Sequence, residues 1–550
     1  MHPLHKKGMM MADGSTGGLL DRARTVAGPG FDRWLVPPCA LAIHLCIGMA
    51  YGFSVFWLPL SRAIGITDPV VCESMTLAQA LTTTTCDWRV SDLVWTYTLF
   101  FVVLGAAAAI WGGWLERAGP RKAGVVAAFC WCGGMGIGAI GVSMHQLWLI
   151  WLGSGVIGGI GLGLGYISPV STLIKWFPDR RGMATGMAIM GFGGGAMIGS
   201  PLANSLMKHF SGPTGVGVWQ TFLVLAVIYF VFMMAGALGY RVPAEGWKPA
   251  GWTPPTDAKA TISRFNVDLK DAHKTPQFWL IWIVLLLNVS ASIGIIGVAS
   301  PMLQEIFGGR LIDAPGVLFT AFSDSQKVAA AAVGAGFVGA ISLFNIGGRF
   351  FWAWFSDRLG RKPLYAVILA ISAVLYGIAA PALAGSSLGL FILVFCILAS
   401  TYGGGFATVP AYLADIFGTK FVGAIHGRLL TAWSTAGVVG PLLVANMRDG
   451  RIAAGIPRDQ VYQPIFLMLA AMLVVGFVAN LFVKPVASRF HMPVTEGVAS
   501  TTAVDATTAT TTAQHGGGSR STVILAWLAV GVPILWGIYM TLSKAVILIK

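Results

Sequence analysis

Thirteen apolar runs long enough to cross a bilayer follow one another along the chain. They cover residues 34–60, 92–114, 122–143, 146–170, 183–207, 218–240, 276–302, 328–354, 363–384, 387–411, 424–446, 462–483 and 521–547. About 20 apolar residues in a helix span a hydrocarbon core roughly 30 Å thick. In that core only a helix or a closed barrel satisfies its own backbone hydrogen bonds. The runs therefore predict an all-α membrane protein. Only 11% of the residues are charged, against about 25% in a soluble domain. The net charge of +14 does not point to nucleic acid, because the basic residues are spread over short segments between apolar runs.

Those basic residues set an orientation. With the amino terminus inside, inside segments hold 24 Lys and Arg and the outside loops of the first twelve runs hold 8. A threefold inside excess is the usual mark of cytoplasmic loops. Residues 1–33 have no apolar stretch before Trp34, so they read as a cytoplasmic tail rather than a secretion signal. Cys72 and Cys86 then share an outside loop, where an oxidising exterior would permit a disulfide. Cys130 and Cys132 are two apart in a helix and face different sides, a poor metal pair. No metal, cofactor or nucleic acid is expected.

The chain repeats itself at an offset of 240–241. Glu116, Gly119 and Lys122 correspond to Asp357, Gly360 and Lys362. Gly163, Gly165, Phe177 and Pro201 correspond to Gly403, Gly405, Phe417 and Pro441. Several matches at one offset predict two parallel six-helix halves, a carrier architecture. The expected organisation is a tail (1–33), a first half (34–240), a cytoplasmic linker (241–275), a second half (276–484), a flexible Thr/Ala/Gly-rich linker (485–520) and one added helix (521–547). That helix has no counterpart in the six-plus-six body and would need a partner helix.

The residue that most demands an explanation is Arg349, in SLFNIGGRFFWAWFSDRLGRK (342–362). In a helix it lies about 12 Å from Asp357 at ~1.5 Å per residue. With Asp357 at the membrane surface, Arg349 is deep in the core, at a cost of at least ~2.5–3.5 kcal/mol for an unpartnered cation. Snorkelling is the alternative. The acidic residues fall in loops, tails or run ends, with Asp92 and Asp415 the nearest exceptions, so no carboxylate partner is expected. An anionic cargo is the partner that remains, and a guanidinium grips a planar carboxylate in a way Lys does not. Tyr51, Tyr166, Tyr402, Trp352 and Asn345 are candidate walls of a small amphipathic pocket, or packing residues. His44, His426 and Arg428 are candidates for a proton or anion relay. His44 reads equally as a core histidine, and Arg428 as a residue that pairs with a loop.

GGWLERAGPRK (112–122) and SDRLGRK (356–362) share an acid, a glycine turn and basic residues. Glu116, Arg117 and Arg121 in one, and Asp357, Arg358 and Arg361 in the other, are candidate gate residues. The acid would pair across the loop or cap a helix of its own half, and let go when the halves rock. The glycine-rich runs at 153–169 and 186–201 lack the strand–turn–helix context of a nucleotide loop and read as close helix contacts. No nucleophile–base or metal cluster suggests an enzyme.

The paired loops resemble the signature loop of the major facilitator superfamily. Together with KWFPDRRGMATGMA (175–188), DIFGTKFVGAIHGRLLTAW (415–433) and the TAWSTAG run, residues 34–484 look like the oxalate/formate antiporter family within it. The resemblance implies exchange of anions at a site between the halves. It also implies a basic pair from runs 8 and 11 that meets the substrate carboxylates. Arg349 matches the first; the second falls at Trp433, which departs from the pattern. One fixed cation suits a small monocarboxylate such as formate or lactate better than a dianion, with oxalate still in range. The added helix resembles an accessory small-subunit helix fused to some such carriers. The membrane implied is the inner membrane of a bacterium. The rivals are a proton-coupled monocarboxylate symporter and a non-transporting membrane sensor.

Overall fold

The structure is a computed structural model describing residues 18–66, 70, 72, 75–213, 215–253, 265–493 and 520–546. Thirteen helices in it are long and apolar enough to span a membrane: α1 Arg33–Leu60, α2 Val90–Ala118, α3 Pro120–Ser143, α4 Leu147–Trp176, α5 Arg181–Phe210, α6 Val218–Gly239, α7 Pro276–Ile312, α8 Ser325–Leu359, α9 Arg361–Leu383, α10 Leu388–Phe417, α11 Val422–Ala453, α12 Arg458–Leu481 and α13 Arg520–Ser543. The runs read from sequence are all present.

The helices overrun the apolar cores by up to two turns, because a 30-residue helix is about 45 Å long and stands clear of the hydrocarbon. This corrects the placement of two acids. Asp415 and Glu305 lie inside helices, 6% and 4% exposed, rather than beyond them. Neither meets Arg349. Glu305 binds Arg448 and Arg458, and Asp415 binds Arg181 and Arg361.

The repeat offset is visible in the backbone. α2 ends at Gly119 with φ +88° and α8 at Gly360 with φ +90°. A side chain is strained at such a φ, so glycine makes both reversals. The first six helices pack on one another, as do the next six, and α2 against α11 and α5 against α8 join the two sets. α1 and α5 approach unusually closely: a Cβ on Gly48 would stand 2.2 Å from the Phe192 carbonyl oxygen. At this level α1 tightens into a 3-10 stretch, Gly48–Phe56, which carries Tyr51.

α13 packs against its own chain. It lies on α1, α5 and α8, over the seam between the sets. Trp527 donates its indole N–H to the Trp34 carbonyl oxygen at 3.1 Å, Val530 packs on Leu41 and Ala42, and Gly537 sits against Met197 and Ile198. On the face opposite the Gly119 and Gly360 turns, a disulfide joins Cys72 to Cys86 in the loop between α1 and α2. The expectations for residues 1–17 and 494–519 fall outside the described residues.

Candidate functional site

Arg349 is fully buried in the second half of α8, ten residues before its end at Leu359. It does not snorkel, and it meets no acid among the described residues. Its Nε donates to Asn345 Oδ1 at 3.1 Å and its Nη1 to the Ile189 carbonyl oxygen of α5 at 3.1 Å. Asn345 is itself fixed, its amide donating to the Ala399 carbonyl oxygen at 3.0 Å. The side chain crosses from α8 to α5 over two glycines. A Cβ on Gly403 would stand 3.1 Å from Arg349 Cγ, and one on Gly193 would stand 3.0 Å from its Nε. Arg349 Nη2 is buried and has no hydrogen-bond partner among the described residues.

Aromatic rings surround this group. The guanidinium carbon stands 5.5 Å from the Phe406 ring centre and 5.9 Å from that of Tyr51, within range of cation–π attraction. Trp433 is fully buried at the hub, with ring centres of Phe406, Phe101, Tyr166, Phe192 and Tyr51 at 4.9, 5.3, 5.3, 5.5 and 6.3 Å. Tyr402, on α10, has its ring 6.4 Å from Phe406. The hydroxyls of Tyr51, Tyr166 and Tyr402 and the indole N–H of Trp433 are all buried without a partner among the described residues. Buried polar groups are normally satisfied. Here five donors, Arg349 Nη2 included, share one aromatic region and lack acceptors.

Phe101, Phe192 and Phe406 escaped the sequence reading. A signal for two of them was present. The offset of 240–241 relates Tyr166 to Phe406 and Phe192 to Trp433, so the rings form two symmetric pairs, one from each set of helices. Trp352, by contrast, does not join them. Its indole N–H donates to Ser400 Oγ at 2.9 Å and its ring packs on Gly404, so it ties α8 to α10.

The relay candidates separate. His44 is fully buried, with Nδ1 2.6 Å from the Ala188 carbonyl oxygen and Nε2 3.1 Å from that of Tyr166. His426 is 2% exposed, its ring 5.9 Å from Tyr166. Arg428 does not join them. Its Nη1 donates to the Leu269 carbonyl oxygen at 2.6 Å and lies 3.1 Å from His273 Nδ1, so it pairs with the linker.

The charged turns do meet across the seam, in a way that corrects the expected capping partner. Each acid caps a helix of the other set, not its own. Asp357 accepts the backbone N–H groups of Gly182 and Met183, the first turn of α5, both at 2.8 Å. Glu116 accepts that of Gly423, in the first turn of α11, at 3.1 Å, and pairs with Lys175 at 2.7 Å. Helix N-termini offer unpaired donors and partial positive charge, which suits a carboxylate. Arg361 binds Asp357 at 2.7 Å and approaches Asp415 at 3.4 Å, while Arg181 crosses the seam to Asp415 at 3.1 Å. Four candidate gate residues do not cross: Arg361, whose partners Asp357 and Asp415 belong to its own set, and three others. Arg117 is exposed and in no ion pair among the described residues. Arg358 is exposed and lies over the Trp354 ring at 4.2 Å. Arg121 is buried but binds the carbonyl oxygens of Leu19, in the segment before α1, and Tyr240, at the end of α6.

Two six-helix sets meeting around a buried polar centre, with matched charged contacts at one face, define a membrane carrier. The chain belongs to the Major Facilitator Superfamily, whose profile matches residues 40–323 and 316–548. It is 26% identical over 458 residues to the oxalate:formate antiporter of Oxalobacter formigenes, covering 82% of this chain and 92% of that one. It is 24% identical over 434 residues to human monocarboxylate transporter 11, covering 77% and 79%. Among solved structures, the superfamily transporter FucP in its outward conformation superposes with a TM-score of 0.55 at 15% identity, over 82% of this chain and all of that one.

Proposed function

We propose that the protein exchanges small organic carboxylates across the membrane by alternating access, with Arg349 as the anion-binding group. The observation that carries this is the fully buried Arg349, whose Nη2 shares its aromatic surroundings with four other donors that lack acceptors among the described residues. A carboxylate brings two acceptor oxygens and the missing charge. The aromatic walls favour a short, flat, largely apolar anion. Trp433 stands where the antiporter resemblance expects a lysine, so one fixed cation favours a monocarboxylate over oxalate. The names of the relatives belong to the same class of cargo.

Residues 34–240 and 276–484 are the two moving halves, and the face with the Gly119 and Gly360 turns is the cytoplasmic one, on the count of Lys and Arg. Asp357, Glu116 and Arg181 hold that face closed. Opening it breaks the two caps and the Arg181–Asp415 pair. The empty carrier holds an uncompensated cation at depth and reorients slowly. A bound anion neutralises it, so exchange outruns net leak.

The test is counterflow with purified protein in vesicles, across formate, lactate, oxalate and sulfate. Formate or lactate should exchange, and Arg349→Lys should lower the rate about 100-fold, since a charge-assisted hydrogen bond contributes about 1.5–3 kcal/mol. Failure of every carboxylate to exchange, or full activity in Arg349→Lys, would overturn the reading. Equally fast loss of preloaded anion with none outside would overturn exchange.

A further inference from the structure

α13 is seated on the two sets unequally. Near the turn-bearing face Trp527 donates to the Trp34 carbonyl oxygen at 3.1 Å, and Val530 is buried against Leu41 and Ala42 of α1. Two turns on, α13 and α5 come close. A Cβ on Gly537 would stand 2.9 Å from Ile198 Cγ1 and 3.1 Å from Met197 Cε. These partners all belong to the first set. An indole that is packed and hydrogen-bonded, and a glycine let in between side chains, resist sliding.

The far end of α13 also packs on α8 of the second set, and this contact is of another kind. A Cβ on Gly339 would stand 3.3 Å from Thr541 Cγ2. Thr541 turns its hydroxyl back to the Gly537 carbonyl oxygen at 2.9 Å, so its methyl group meets the glycine. This part of α8 reads AAAAVGAGFVGA (329–340), and its one large side chain, Phe337, is buried and faces Phe395 within the second set. Such a surface has no ridge to grip and no hydrogen bond to break. Gly339 also lies far from the Asp357 cap, about 27 Å along α8 at 1.5 Å per residue. When the halves rock about Arg349, the two ends of α8 swing in opposite senses past α5. Opening the caps therefore moves Gly339 relative to α13.

We propose that α13 is a strap: it rides with the first half, the far end of α8 slides along it, and it limits how far the halves swing on the α5–α8 side. This rests on the reading of the two sets as moving halves, and not on Arg349 as the anion site.

The test reads opening without cargo, as amide hydrogen exchange at Gly182, Met183 and Gly423, whose N–H groups Asp357 and Glu116 cover. In the full chain, a disulfide formed in the double variant Gly339→Cys, Thr541→Cys should slow that exchange about tenfold relative to each single variant. A disulfide in Ile198→Cys, Gly537→Cys ties α13 to its own half and should leave the rate unchanged. Trp527→Ala loosens the seat on α1 and should raise the rate about fivefold. Unslowed opening with the first disulfide formed, slowing by the second, or a rate indifferent to Trp527→Ala would each overturn the strap. Counterflow on the same proteins separates the two readings. If the three amide results hold while no carboxylate exchanges, the strap stands and the anion site falls; if a carboxylate exchanges equally fast with and without the first disulfide, the strap falls and the anion site stands.

Discussion

Asp357 and Gly182 are 175 residues apart in sequence, yet the Asp357 carboxylate accepts the Gly182 backbone N–H at 2.8 Å. Shift both numbers by 241 and the relation recurs with the sets exchanged: Glu116 accepts the N–H of Gly423. Each half thus carries one acid and one helix N-terminus, and each acid serves the other half. In the proposed carrier a closure built this way would depend on both contacts, and opening it would expose two helix ends and two carboxylates to water.

This predicts how the latch responds to neutralisation. Asp357→Asn and Glu116→Gln keep the shape and remove the charge. An N-cap contributes about 0.5–2 kcal/mol, equivalent to roughly 2–30-fold in the closed population of a two-state carrier. A cysteine placed at Ala353, buried against Gly182 at the seam, should react that much faster with an impermeant thiol reagent from the turn-bearing face in either variant. Arg117→Gln, which touches no such contact, should leave the rate unchanged. Equal reactivity in all of them would disprove the latch.

The same residues show what a sequence makes legible. Helix number, the repeat and the buried cation could be read, because run length and a charge inside an apolar run are one-dimensional signals. The failures were facings and partners. Asp357, in the last turn of α8, meets Arg361, the first residue of α9, across the Gly360 reversal, whereas Arg358 is one step on from Asp357 and turns outward. Glu116 and Arg117 differ in the same way. That Asp357 would find α5 rather than a helix of its own half could not be read, since every helix start offers the same backbone N–H groups. Phe192 and Phe406 are ordinary residues in an apolar span; only their place in the repeat, opposite Trp433 and Tyr166, marks them.

Trp433→Lys separates packing from charge. The indole fills the space between five rings, so its loss should cost about 3–5 kcal/mol, with an added cation in the same buried region. A second carboxylate group would meet that cation. The variant should melt well below wild type without anion, and oxalate should recover more of the loss than formate does, because a ligand that binds only the folded state raises its stability. In counterflow, preference should move toward oxalate. Melting curves with each anion check the first point and competition against labelled formate the second. Equal rescue by the two anions would show that residue 433 does not face the substrate.

The last prediction concerns the opposite face. His145 adopts φ +52° in the turn between α3 and α4, stacks flat on Trp88 at 3.8 Å and directs Nε2 to the Cys86 carbonyl oxygen at 3.0 Å. Next to Cys86, the Asp87 carboxylate accepts the backbone N–H groups of Ile64, Gly65 and Val70 at 2.7, 2.8 and 2.9 Å. His145 therefore pins the disulfide-bonded end of this loop. Burial lowers its pKa below the ordinary histidine value, against the upward pull of the Cys86 carbonyl and Asp87. A depressed pKa means that the unfolded segment binds the proton more readily than the folded one. The stabilisation is present above the unfolded value, about 6.5, and is lost as pH falls through the folded one. Acidification from pH 7.5 to 5.5 should thus speed amide exchange at Ile64, Gly65 and Val70 severalfold after correction for the intrinsic rate. In His145→Phe, which keeps an aromatic ring over Trp88 and cannot titrate, the corrected rates should no longer depend on pH. A wild-type loop whose corrected exchange is flat across this range would rule out His145 as the pin.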